Sequence, residues 1–190
     1  MFFVDLDTTR LHLRNIGIQD RSFVFGHFSD PEVTRYLYDA EPLTDLAGAD
    51  EIIDMYLQPE PRGHHRWVLE RRDDGTVMGT CGFHCWDPEQ GSVEVGYDLA
   101  ARFWGKGYMT EALKAIIGFA GQDMRVKRIH AHVYIGNPAS AKLVEKLGFV
   151  KTGAYAEVFR GQAYPHDIYT LHLASGAVMG YGDKGGSPDA

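Results

Sequence analysis

The alternation of apolar and polar residues changes period several times along the chain, and each change marks an element. Thr9 to Arg14 alternates, as a half-buried strand does, with Leu11 and Leu13 turned to the core. Gln19-Asp20 opens a helical stretch to Phe28, in which Phe23, Val24 and Phe28 recur at helical spacing. Asp30-Pro31-Glu32 reads as an N-cap, a first-turn proline and a first-turn acid, and starts a short helix to Tyr38. Thr44-Asp45 caps a further helix, Leu46 to Leu57, with Ile52, Ile53, Tyr56 and Leu57 on one face. Gln58 to Gly63 is a loop by composition. Strands over Arg66 to Arg71 and Thr76 to Trp86 flank the turn Asp73-Asp74-Gly75. Gly79 and Gly82 within the second predict a bulge or a close backbone approach. Asp87 to Gly91 is another turn, leading to a strand over Ser92 to Leu99.

The period then becomes helical again. Glu111, Ala112, Leu113, Ile116, Ile117 and Ala120 share one face of a helix over Thr110 to Ala120, with Gly121 as its C-cap. A strand over Arg128 to Tyr134 stops at Gly136-Asn137-Pro138. There Asn137 as N-cap and Pro138 at the first helical position open a helix to Leu147, ended by Gly148. Phe159 to Gln162 is a hairpin turn between strands Val150 to Phe159 and Ala163 to Leu173. The order is βααβββαβαββ, an α+β chain with about seven strands and about four or five helices. Residues 1–174 read as one domain, and the Gly-rich polar stretch 175–190 as a disordered tail.

Composition narrows the function classes. A chain of 190 residues, 44% of them hydrophobic, buries one full core. The formal charge of -7, from 19 Lys+Arg against 26 Asp+Glu, argues against a nucleic-acid partner and suits a cationic amine. No apolar run is long enough to span a bilayer, so no membrane partner is expected. Met1 to Asp5 turns acidic at once, without the basic start of a secretion signal. Two cysteines fit a reducing compartment, and the expected location is cytoplasmic. No metal site is expected either. The pair His64-His65 lacks a third ligand at suitable spacing and reads as a solvated loop end. Cys81 and Cys85, four apart on a strand, would stand roughly 13 Å from each other, too far for a mutual disulfide or a shared zinc. They read as two core thiols, with His84 on the opposite, polar face.

The chemistry-bearing stretch is Arg102 to Thr110. A strand enters it and a helix leaves it, with Gly105 and Gly107 at the helix start. The first N–H groups of a helix have no intrahelical partner and sit at the positive end of its dipole. Glycines let an anion reach that backbone. Gly105, Lys106, Gly107 and Tyr108 therefore form a candidate phosphate or pyrophosphate cradle, with Thr110 able to add a hydroxyl. A Walker loop is excluded because Gly107, not Ser or Thr, follows Lys106; a dinucleotide fingerprint is excluded by Thr110 in place of its third small residue. Upstream, Glu94, Gly96 and Asp98 share one strand face, and Val93, Val95, Tyr97 and Leu99 the other. A glutamate in mid-strand is poorly suited to burial and calls for a reason.

Arg102, Gly105 and Gly107 match the Arg/Gln-x-x-Gly-x-Gly/Ala loop of the GNAT superfamily of acetyl-coenzyme A-dependent N-acetyltransferases. A second block, Asn137 to Phe149, resembles the superfamily's "Asn-x-x-Ser/Ala … Lys-Leu-Gly-Phe" segment. The opening, with Thr9-Arg10-Leu11 and Asp30-Pro31-Glu32, looks like the Rim-type branch, which contains acetyltransferases of ribosomal-protein amino termini. The resemblance runs from about Thr9 to Leu173. It implies a GNAT-type fold with a mixed central sheet and acetyl-coenzyme A as co-substrate. It also implies direct acetyl transfer to a primary amine, a protein or peptide amino terminus first, with a small amine such as an aminoglycoside or polyamine as the alternative. A non-catalytic acetyl-coenzyme A binder is a further alternative.

On that resemblance Val95, Tyr97 and Leu99 lie along the pantetheine arm, and a backbone N–H near Val95 or Gly96 polarises the acetyl carbonyl. Arg102, Gly105, Lys106, Gly107, Tyr108 and Thr110 hold the pyrophosphate. Asn137 and Ser140 stand on the coenzyme's other side, although Asn137 also suffices as a plain helix cap. Glu94 is the candidate base; its rival role is a salt bridge to Arg66 or another strand neighbour. Many members protonate the leaving thiolate with a tyrosine, and the matching position here is Val144. Ser140 becomes the candidate acid, ahead of Tyr108 and Tyr164, with direct protonation by water or by the amine's own proton as the alternative. The helices before the first hairpin roof the acceptor cleft, where Glu32, Asp39, Glu41 and Asp45 suit a cationic acceptor or form a solvated face. The last hairpin, with Asp167 before its final strand, is where relatives often form a homodimer.

Overall fold

The computed structural model describes residues 3–38 and 40–173; the tail expected from Ser175, and Asp39, lie outside the described residues. One sheet of eight strands runs through the molecule. The strand missing from the sequence reading is β1, Leu6–Asp7, a two-residue edge piece too short to show a period. It pairs antiparallel with β2, Leu11–Asn15. Then come β3, His65–Arg71, β4, Val77–Asp87, and β5, Ser92–Leu99, as successive antiparallel neighbours. The strand β6, Arg128–Tyr134, lies parallel to β5, and the hairpin of β7, Val150–Phe159, and β8, Gln162–His172, completes the order β1-β2-β3-β4-β5-β6-β8-β7.

A parallel pair needs a crossover, and the helix α4 supplies it between β5 and β6. It spans Tyr108–Gln122, longer than the predicted Thr110 to Ala120. Gly121 is therefore inside the helix rather than its C-cap: it does not take up a left-handed conformation, and the chain leaves the helix at Asp123. Leu113, Ile116 and Ala120 of α4 pack on Leu11, Leu13, Trp67 and Leu69 in the larger core. The other sheet face is covered by α1, Arg21–Phe28, and α3, Leu46–Leu57, through Val24, Ala49, Ile53 and Tyr56 against Val68. Trp67, Val68 and Leu69 are consecutive and all buried because β3 has a helix on each side.

Several predicted details change. The helix at Asp30 is a single turn, α2, Pro31–Thr34, capped by the Asp30 carboxylate on the Glu32 N–H. It stops short of Tyr38 because that ring leaves the helical path to stack on Tyr164 at 3.8 Å. His65 is not a solvated loop end: it begins β3, is 1% exposed, and stacks on Phe3 at 4.0 Å. Cys85 is not a core thiol. It sits exposed with φ 50° in the irregular stretch between His84 and Asp87, while Cys81 is buried. The close approach read from Gly79 and Gly82 is real: a Cβ on Gly82 would lie 2.1 Å from the His65 carbonyl oxygen. The last helix, α5, covers Pro138–Lys146 behind its Asn137 cap.

Candidate active site

Side chains and backbone converge where the sheet opens. β5 pairs with β6 over three positions, Ser92 with Arg128, Val93 with Ile129 and Glu94 with His130. Beyond Glu94 the strands part. The wedge between them is a cleft of about 1320 Å³. Residues 95–99 of β5 form one wall, and residues 131–134 of β6 with 137–140 at the start of α5 form the other. Gly105, Gly107, Tyr108 and Thr110 also line it.

The glycine loop has the conformation that its sequence requires. Gly105 has φ 72° and Gly107 φ 79°, left-handed values that a side chain would disfavour. α4 begins at Tyr108, so the N–H groups of its first turn face the cleft without helical partners. The side chains of Arg102 and Lys106 do not enter the cleft. Arg102 lies over the Phe103 ring at 4.8 Å, and the Lys106 ammonium donates to the Arg102 carbonyl at 2.9 Å. The loop is also held from outside by Arg10, which the sequence reading missed. Its guanidinium donates to the Lys106 carbonyl at 3.0 Å and to the Glu111 carboxylate at 2.6 Å, and covers the Tyr108 ring at 4.4 Å. Thr8 Oγ1 and the Arg10 N–H also donate to Glu111, at 2.7 and 2.8 Å.

Glu94 stands at the apex of the wedge, with its side chain 38% exposed. Its carboxylate is 3.8 Å from His132 Nδ1. Of its rival role, the salt bridge to Arg66 is absent, because Arg66 belongs to Asp98 at 2.8 Å, whereas the alternative partner on a neighbouring strand is present in His132. Asp98 is buried and takes three further bonds: from Thr80 N at 2.9 Å, Thr80 Oγ1 at 2.6 Å and His27 Nε2 at 2.6 Å. Burial opposes its charge, but the His27, Arg66 and Thr80 bonds outweigh that and keep the carboxyl below the usual range. Arg66 also donates to His84 Nε2 at 3.3 Å. Burial first, and Arg66 second, lower His84 to about 4, so it is a neutral group beside Glu94, its cross-strand partner.

On the opposite wall the Asn137 side chain accepts from the Ser140 N–H at 3.1 Å, the cap read from sequence. Ser140 Oγ lies 2.7 Å from the hydroxyl of Tyr97, a pairing not anticipated. Val144 is fully buried. The other two candidate acids are placed elsewhere: the Tyr108 ring lies under Arg10, and Tyr164 stacks on Tyr38, its hydroxyl donating to Gln162 at 3.3 Å.

Around Tyr38 the cleft carries an aromatic wall that no single segment of sequence announces. Tyr134 of β6 lies opposite His166 of β8, which lies opposite Tyr155 of β7. Tyr155 and His166 stack at 5.3 Å, and Tyr38 is edge-on to Tyr134 at 4.7 Å. Glu32, Glu51 and Glu157 line the same cleft, whereas Glu41, also there, is paired with Arg160, and Asp45 caps α3 on the Gly48 N–H. Burial, and for Cys85 also the Glu94 carboxylate, raise both thiols, so neither is an activated nucleophile. Among the described residues no group of three His, Cys, Asp or Glu side chains is placed to hold a metal ion.

A family model described as an acetyltransferase (GNAT) domain matches residues 10–150 of this chain. An uncharacterized N-acetyltransferase of Bacillus licheniformis, p20, is 34% identical, over 88% of this chain and 94% of its own. The uncharacterized N-acetyltransferase YoaA of Bacillus subtilis (strain 168) is 35% identical, over 89% and 97%. Among solved structures, spermidine N-acetyltransferase from Vibrio cholerae in complex with CoA and spermine superposes with a TM-score of 0.77 at 20% identity, covering 87% of this chain and 96% of that one. At that identity the likeness speaks for the fold.

Proposed function

Because the chain belongs to the GNAT acetyltransferase family, we propose that it acetylates the amino-terminal amine of a protein or peptide, in the manner of the Rim-type branch, with Glu94 as base. The observation that carries the reading is the wedge itself. It sets an unpaired stretch of β5 backbone, a glycine-cradled helix start and a carboxylate at the apex around one cleft.

The residues fit acetyl-coenzyme A. Gly105 and Gly107 leave the α4 N–H groups open to a pyrophosphate, and residues 95–99 offer strand-like bonds to an extended pantetheine. Acetyl-coenzyme A supplies the activated acetyl thioester. A backbone N–H at Val95 or Gly96 polarises the acetyl carbonyl. Glu94, directly or through a water, takes a proton from the ammonium so that the free amine can attack. Ser140 bonds the departing thiolate. Asn137 fixes the start of α5 from which Ser140 projects. Free Cys81 and Cys85 suit a cytoplasmic setting, and exposed Val150 and Val158 on the edge strand β7 support a homodimer through that hairpin.

A second reading, a small cationic amine as acceptor, is favoured by the aromatic wall beside Glu32, Glu51 and Glu157, since ring faces and carboxylates both attract cations. The test is thiol release from acetyl-coenzyme A against peptides with Ala or Ser amino termini, polyamines and aminoglycosides. The peptide reading predicts the highest kcat/KM on a peptide. Turnover confined to small amines would replace it with the second reading. Silence on every amine, with the coenzyme bound, would point to a binding protein.

A further inference from the structure

At the position of α5 where the family resemblance would place a phenol stands Val144, which is buried in the core. A phenol reaches the same wall from another element. Tyr97 projects from β5, and its hydroxyl lies 2.7 Å from Ser140 Oγ, with both residues lining the cleft. The Ser140 backbone is fixed by Asn137, and the Tyr97 ring is held in the packing around the main core. Burial pushes the Tyr97 phenol up to about 12, so it keeps its proton at neutral pH. Either hydroxyl can donate in this pair; when the phenol donates, the serine oxygen accepts and the serine O–H is left to point elsewhere. A donor whose own oxygen accepts a hydrogen bond is also a stronger donor.

We propose that Tyr97 is a positioning residue for the leaving group: it donates to Ser140 Oγ and so aims the serine O–H at the coenzyme sulfur. The proposal rests on the coenzyme occupying the wedge. In the reaction the N–C bond forms and the C–S bond breaks, and the attacking ammonium loses two protons. One leaves through Glu94 to water, and the other ends on the sulfur. The Tyr97–Ser140 pair gives up neither of its own protons. Full transfer from a phenol at about 12 to a thiolate whose thiol normally titrates near 8.5 would be uphill by about 10³-fold. The pair acts by hydrogen-bonding the thiolate while it exists, which makes the bound thiol more acidic and the sulfur a better leaving group.

The thiol titration needs no knowledge of the acceptor. The thiol of bound coenzyme A is titrated by its ultraviolet thiolate absorbance, with the desulfo analogue as blank, in wild type, Tyr97→Phe, Ser140→Ala and the double variant. The proposal predicts a bound thiol about tenfold more acidic in wild type than in either single variant, and a double variant no worse than the singles. In Tyr97→Phe kcat falls about tenfold, a larger change than any in its affinity for the desulfo analogue or its KM for acetyl-coenzyme A. A Tyr97→Phe protein that titrates like wild type overturns the proposal, as do single effects that multiply in the double variant. Failure of the wild type to bind coenzyme A removes the coenzyme reading and this proposal with it.

Discussion

Buried His65, half-buried His84 and the Asp98 carboxylate each make folding stability depend on pH. Burial, followed by the charge of Arg62, lowers His65 to about 3, and burial lowers His84 to about 4. In the unfolded chain both imidazoles titrate near 6.5. Below that value the unfolded state binds protons that the folded state refuses, so stability falls as pH falls. At about pH 5 each histidine costs about 2 kcal/mol relative to neutral pH. Asp98, also held below its ordinary range, works in the same direction at lower pH. Denaturant titrations at about pH 7 and pH 5 should show this loss, and His65→Leu should flatten the slope; equal stability at both values contradicts the picture of neutral buried imidazoles. Neither role was readable in the sequence. His65 follows His64 and a loop, and only the fold brings Phe3 against it. Asp98 shares a strand face with Glu94, but its partners come from α1, β3 and β4.

At the scale of elements, the start of α4 was the most legible part of the chain. Gly-x-Gly between a strand period and a helix period can be read locally, because a left-handed loop and an open helix start depend on neighbouring residues alone. What the sequence hid is the brace behind the loop, where Thr8 and Arg10 meet Glu111 across about a hundred residues. α2 and α4 show the limits of local reading. Tyr38 is drawn out of the helical pattern by Tyr164, and Gly121 stays helical despite its weak propensity. Gly107→Ala tests the loop. Its φ of 79° would cost an alanine about 1 kcal/mol, and the new methyl would approach Arg10 Nη2 at 3.5 Å. KM for acetyl-coenzyme A should rise about tenfold with kcat nearly unchanged; an unaltered KM would mean that the loop does not hold the pyrophosphate.

At the scale of the whole molecule, the cleft exists because a parallel pair is inserted in an otherwise antiparallel sheet and then splits after three positions. The order of elements could be read from the periods, and the two motif blocks identified the family. The eighth strand, the aromatic wall and the Tyr97–Ser140 pair could not, since each is made by residues far apart in the chain that only the sheet order brings together. The account converges on Glu94, the carboxylate at the point where the strands part. The most direct test is to measure, on one preparation of Glu94→Gln, both coenzyme A affinity and single-turnover acetyl transfer to the best amine across a range of pH. The account predicts wild-type affinity with transfer slowed by about 10² or more at neutral pH, and partial recovery as the amine loses its proton to solvent at higher pH. Transfer at the wild-type rate over the whole range would contradict it and leave Glu94 a bystander at the edge of the cleft.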